Sequence, residues 1–145
     1  MDNKELAGRA ALKELIDWVA ILGDKREFKK QVQLFTDNAV SETWAGGILL
    51  LKLEGRKAIE EAFSKFLEGF DTVYHFNGQQ VVTINGNTAT GTVYCMATLI
   101  GQEQGRKMIT TIGARYEDNY LRVGNNWLIA SRVGNFDWQE KRVLG

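Results

Sequence analysis

The feature that most constrains this chain is the length of its extended segments. From Thr72 to Asp137 the sequence is rich in Val, Ile, Thr, Tyr and Gly, with turn signals at Asn85-Gly86, at Gly101 to Gly105 and at Gly124-Asn125. Four strands are predicted. The last three are each about a dozen residues or more, roughly 40 Å of extended chain at about 3.3 Å per residue, which is long for a flat sheet and calls for strong bending. Gly78, Gly91, Gly113 and Gly134 fall inside the strand patterns, where glycine marks a bulge or a bend. The expected α+β product is a curved antiparallel sheet wrapped around a long helix.

The N-terminal half supplies that helix. Leu6, Ala10, Leu15, Val19 and Leu22 recur at helical spacing from Asn3 to Leu22, with Asp2 and Glu5 as a cap pair and Gly23 as a stop. Asp24 with Glu27 three positions on resembles a second capping box, and Phe28, Val32 and Phe35 then share a face, which predicts a second, short helix. Val40 to Trp44 and Ile48 to Leu53 flank Gly46-Gly47 as a hairpin, and after Gly55 a third helix presents Ile59, Phe63, Phe66, Leu67 and Phe70 along one side. Proline is absent and no repeat or linker marks a boundary, so residues 1–145 are read as one domain.

Composition narrows the function classes. The charges balance, 18 basic against 18 acidic, which removes the broad attraction on which nucleic-acid and anionic-membrane binding depend. Neither partner is expected. Cys95 is the single cysteine and alternates with Val93, Ala97 and Leu99, so it reads as a core thiol and not as a nucleophile. No run of 18 apolar residues occurs, and Met1-Asp2-Asn3-Lys4-Glu5 lacks the apolar segment of a secretory signal, which makes the cytoplasm the default location.

Chemistry near neutral pH then leans on the single histidine, His75, or on shifted carboxylates. A carboxylate that holds one imidazole N–H fixes the tautomer and stabilises the imidazolium formed when the other nitrogen takes a proton. Asp24 is the acidic candidate, with helix capping as its alternative role. If His75 points inward, strand alternation sets Asn77, Gln79 and Val81 on the same side. Trp18, Trp44, Phe63, Phe66, Tyr94, Tyr116 and Phe136 are available either to wall an apolar cavity or to fill a core; Tyr94 and Tyr116, flanked by long strands, are the foremost pocket candidates. Lys25-Arg26 and Lys29-Lys30, interspersed with Glu27, read as a solvated helix face.

The element order, together with Leu22-Gly23-Asp24, Tyr74-His75-Phe76-Asn77, Val82 to Gly91 and Tyr116-Glu117-Asp118-Asn119-Tyr120 before Trp127, resembles the SnoaL-like, nuclear transport factor 2-like family. Within it the similarity is to the branch of scytalone dehydratase, bile-acid dehydratase and hexachlorocyclohexane dehydrochlorinase. The resemblance implies a cone-shaped, cystatin-like α+β barrel over the whole chain, with His75 as base and Asp24 orienting it. It also implies that Arg132 stabilises developing negative charge, a surface salt bridge being the alternative. Three features depart from the branch. Val19 stands where the dehydratases carry a tyrosine and the dehydrochlorinase a lysine, Ala97 stands near an aspartate of the bile-acid enzyme, and a second histidine is lacking.

Two functions are expected on this basis. One is a cofactor-independent lyase or isomerase acting on a small hydrophobic molecule, with His75 and Asp24 catalytic, Arg132, Tyr94, Tyr116, Asn77 and Trp44 binding substrate, and no metal or cofactor. The other is a non-catalytic binding module or assembly subunit of the same fold. Either is expected as a homo-oligomer, dimer or trimer, formed through the convex face of the long strands.

Overall fold

The computed structural model describes residues 1–145. Its first element, α1 (Asn3–Asp24), opens where the Asp2 carboxylate accepts a hydrogen bond from Glu5 N at 2.8 Å, satisfying one of the orphan donors of the first turn. Leu12, Leu15, Ile16 and Val19 form its buried stripe. The helix continues through Gly23 and includes Asp24, two residues beyond the expected end at Leu22. Arg26 then turns the chain at φ 61° and donates through its guanidinium to the carbonyls of Leu67 and Phe70. Arg26 is exposed, as are Lys25, Lys29 and Lys30, so the cluster lies on a solvated face as expected, with Arg26 in addition tying this turn to the end of α3.

Helix α2 (Phe28–Gln31) is a single turn that tightens into a 3₁₀ turn over Val32–Leu34. Glu27 precedes it and Asp24 does not cap it. The capping reading of Asp24 is therefore corrected: its carboxylate is committed elsewhere. Phe35 is buried as expected, but as the first residue of a strand.

Six strands follow in one sheet: β1 (Phe35–Ala45), β2 (Ile48–Glu54), β3 (Thr72–Asn85), β4 (Thr88–Glu103), β5 (Arg106–Val123) and β6 (Asn126–Val143), with α3 (Arg56–Leu67) between β2 and β3. The spatial order is β2-β1-β6-β5-β4-β3. The α+β architecture is as expected, and the sheet is curved and unclosed, with β2 and β3 at its edges. One pairing departs from the all-antiparallel expectation. β1 runs parallel to β6, which is possible because the intervening strands and α3 provide the long connection that a parallel pair requires.

Register shifts fall at two of the four strand glycines, Gly78 and Gly113, whereas Gly91 and Gly134 pair in regular register. The β3–β4 register shifts between Asn77 and Gln80, so Gly78 and Gln79 together oppose Tyr94. A bulge exchanges the faces of all residues beyond it. Val81 is consequently 69% exposed and Gln79 is exposed, correcting the expectation that both share the face of His75. Gln80 turns inward instead and donates to Leu12 O at 3.2 Å, while Asn77 donates to Ile16 O at 3.1 Å. These two amides fasten α1 to β3.

Two apolar clusters fill the concavity. One surrounds α1 and includes Leu12, Ile16, Phe35, Ile59, Val93 and Ile129; the other lies beneath the end of α3 and includes Leu67, Val73, Leu99 and Ile112. No helix is long and apolar enough to cross a membrane.

Candidate active site

Strand register brings the chemistry-bearing residues onto four adjacent rows of the concave face. His75 lies opposite Ala97, which lies opposite Ile112. The next row is Asn77, Cys95, Ala114 and Phe136, and the one after it brings Val93, Tyr116, Gly134 and Thr43 together. The fourth is Gly91, Asp118, Arg132 and Ser41. Small residues at Ala97, Ala114 and Gly134, with Ala20, Gly23 and Ala62 from the helices, leave a cavity of about 300 Å³ lined mainly by hydrophobic side chains. That volume is at the lower end of the range for small-molecule pockets.

His75 lines this cavity, and its ring is held from behind. The Nδ1 atom lies 2.7 Å from Asp24 Oδ1, and both Asp24 oxygens accept from the His75 backbone N–H at 3.1 Å. Each side chain is 23% exposed, so the pair sits at the rim of the interior. Asp24 occupies the last residue of α1, the end of a helix at which the macrodipole disfavours an anion. Local helix energetics do not account for a carboxylate there. Its three contacts with His75 do, and they leave Nε2 as the ring nitrogen free to face a ligand.

Arg132 is the second charged group on the wall. Its Nε and Nη2 donate to Asp118 Oδ1 and Oδ2 at 2.8 and 2.9 Å, and the Asp118 side chain is wholly buried. The pair therefore lies in the interior, correcting the surface alternative. Burial opposes the arginine's charge, but the Asp118 carboxylate outweighs it and raises the guanidinium above its ordinary range. The guanidinium also lies 4.1 Å over the Tyr116 ring, a cation–π contact that holds it flat against the wall. Nη1 remains outside the Asp118 pair. Tyr120 donates to Asp118 at 2.7 Å, and burial followed by that carboxylate pushes its phenol up.

Tyr116 lines the cavity with a phenol that burial raises well above its ordinary range, so it is a neutral group at physiological pH. Tyr94 does not line it. Val93, Cys95 and Ala97 face inward along β4, so Tyr94 faces outward and is 47% exposed. Trp44 is likewise absent from the wall: Ser41 and Thr43 take the inward positions of β1, and the indole N–H donates to Glu42 at 2.8 Å. Trp18 is also outside, 44% exposed on α1, whereas Phe63, Phe66 and Phe136 do line the cavity. Asn77 reaches the wall, but its amide nitrogen is used by α1. Residues missed by sequence reasoning include Asp118, Ser41 and Gln31; the first pairs across strands and the last lies on a helix of one turn, so neither carries a local signal.

Cys95 lies against Tyr116, and burial pushes its thiol up despite the opposing influence of Arg132. A protonated, buried thiol is a poor nucleophile. Native protein at pH 8 is expected to resist a water-soluble disulfide reagent and to react with one equivalent after unfolding, as measured by thiolate release. Immediate reaction of the native form would show that the thiol is open and ionised.

An open, curved sheet around a helix, with a histidine–carboxylate pair and an arginine on the walls of an apolar cavity, defines a class of small pocket proteins. The chain belongs to the SnoaL-like domain family, whose model matches residues 4–133. An uncharacterised protein of Mycobacterium tuberculosis strain H37Rv is 28% identical over 131 residues, covering 89% of this chain and 85% of that protein. Among solved structures, a candidate scytalone dehydratase from Novosphingobium aromaticivorans DSM 12444 matches at TM-score 0.83 and 14% identity, over 100% of this chain and 94% of the other. A type 3 hexachlorocyclohexane dehydrochlorinase from Novosphingobium barchaimii LL02 matches at TM-score 0.80 and 19% identity, over 98% and 94%. At these identities the two structures establish the shared fold.

Proposed function

We propose that this protein is a cofactor-independent isomerase or lyase that removes a proton from a small, largely apolar carbonyl compound, with His75 as the base. The observation that carries the reading is the 2.7 Å contact between His75 Nδ1 and Asp24 on the wall of an apolar cavity. Nε2 takes the proton from the carbon next to the carbonyl, and the C–H electron pair moves to the carbonyl oxygen. Asp24 stabilises the resulting imidazolium. Arg132, held by Asp118, supplies positive charge for the enolate oxygen. The imidazolium then returns the proton to the same carbon, giving exchange, or to a conjugated carbon, giving an isomer.

Val19 is buried on the cavity wall and is unable to donate a proton to a leaving group. This favours proton return over loss of water within the proposed class. It is also the observation that favours the second reading, a binding module of the same fold. Solvent deuterium incorporation into 2-tetralone and cyclohex-3-enone, followed by NMR, separates the two. The isomerase reading expects protein-dependent exchange or double-bond migration; ligand binding without either supports the module.

The proposal extends to assembly. On the convex face Phe76, Met96 and Trp138 are 66%, 43% and 49% exposed and lie in neighbouring registers, the Trp138 indole covering Gly113. A contiguous apolar patch of this kind suits a second copy of the chain. Light scattering at tens of micromolar is expected to give at least twice the 16.3 kDa chain mass, and Phe76→Lys to return it to the monomer value. A wild-type mass equal to one chain removes the proposal.

A further inference from the structure

Gln31 ends α2 on the cavity wall and is 5% exposed. Its amide has a fixed orientation. Nε2 donates to the Val19 carbonyl at 2.9 Å, and the reversed amide would set two carbonyl oxygens against each other. The backbone is fixed as well, Gln31 N donating to Glu27 O at 3.0 Å. Gly23 provides the space: a Cβ there would stand 2.9 Å from Nε2. With the nitrogen committed to the α1 backbone, Oε1 is left as the acceptor of a residue that lines the cavity, and it is buried without a hydrogen-bond partner in the protein. Buried acceptors are paired in the great majority of cases. The residues beside it on the wall, Val19, Ala20 and Gly23, bring no side-chain donor.

We infer that Gln31 Oε1 accepts a hydrogen bond from a hydroxyl or N–H group of the bound molecule. The inference rests on the reading of the cavity as a ligand site and deepens it. The preferred ligand is an apolar ring that carries, besides any carbonyl, a hydrogen-bond donor directed at the end of α1. Rings that lack the donor enter the same cavity but leave Oε1 unpaired, which is the stronger form of discrimination available to a buried polar atom.

The test is a matched pair of probes, 2-naphthol and 2-methylnaphthalene, similar in shape and differing in the donor. Dissociation constants are measured by fluorescence for wild type, Gln31→Met, Gly23→Ala and His75→Gln. Gln31→Met is expected to lower the naphthol preference by about tenfold, the scale of one hydrogen bond, with 2-methylnaphthalene binding retained as the internal check on folding. Gly23→Ala, which displaces the amide without removing it, is expected to lower the preference in the same direction, so the result does not depend on one variant folding. His75→Gln is expected to keep the wild-type preference while losing proton exchange, which separates this inference from the catalytic one. A preference unchanged in both Gln31→Met and Gly23→Ala, or abolished in His75→Gln alone, overturns the role of Gln31. Failure of both probes to bind wild type overturns the ligand-site reading and this inference with it.

Discussion

Replacing Asp118 by Ala is expected to lower the unfolding free energy by about 3–5 kcal/mol, the usual cost of leaving one member of a buried ion pair unpaired. The Asp118 side chain is wholly buried and that of Arg132 is 12% exposed. Without the carboxylate the guanidinium keeps its charge in the interior, and the Tyr120 hydroxyl loses the acceptor at 2.7 Å. Urea denaturation followed by tryptophan fluorescence reads the change as a lower midpoint. A double variant, Asp118→Leu with Arg132→Met, removes both charges and is expected to recover much of the loss, because matched apolar replacements of buried pairs are often neutral. A single variant within about 1 kcal/mol of wild type would mean that Arg132 finds solvent or another partner, and the picture of a preset arginine on the wall would fail.

The second large effect concerns proton transfer. His75→Gln keeps most of the side-chain bulk and removes the base, so deuterium incorporation is expected to fall by at least about a hundredfold, the lower range of general-base contributions. Asp24→Asn is expected to fall by a comparable factor. The carboxamide keeps one acceptor but sets an NH₂ against the donors of His75, where Asp24 now receives the backbone N–H and faces Nδ1. Because that carboxylate also joins α1 to β3, this variant should in addition lose about 1–3 kcal/mol of stability, the scale of hydrogen bonds to a charged group. Thermal melts separate the two consequences. Retention of exchange in a folded His75→Gln variant would remove the histidine from the mechanism.

Much of this organisation was legible in the residues. The long glycine-bearing strands announced a curved sheet, and the two-residue turn after Asn85, with Gly86 at φ 62°, joins β3 to β4 as its sequence implied. Other features depend on register, which a single strand does not reveal. The bulge after Asn77 moved Gln79 and Val81 outward, and no residue count along β3 alone shows where the extra residue is accommodated. Arg132 and Asp118 meet only because β5 and β6 pair them directly. The parallel β1–β6 contact likewise joins segments with no local tie. Tyr94 is different: it was expected in the pocket, although the alternation of Val93, Cys95 and Ala97 is itself enough to turn it to the outer face. Trp44 misled for the opposite reason: β1 turns the polar Ser41 and Thr43 inward, so hydrophobicity was a poor guide to its buried side.

The central claim is that a neutral imidazole, its Nδ1–H held by Asp24, presents an unprotonated Nε2 to the cavity. His75 is the single histidine, so its ring nitrogens give the only imidazole signals in the ¹⁵N NMR spectrum of the labelled protein. At alkaline pH a protonated Nδ1 and an unprotonated Nε2 are expected, with the Nε2 resonance moving when 2-tetralone is added. An Nε2–H tautomer, or a ring whose two signals ignore the ligand, would contradict it.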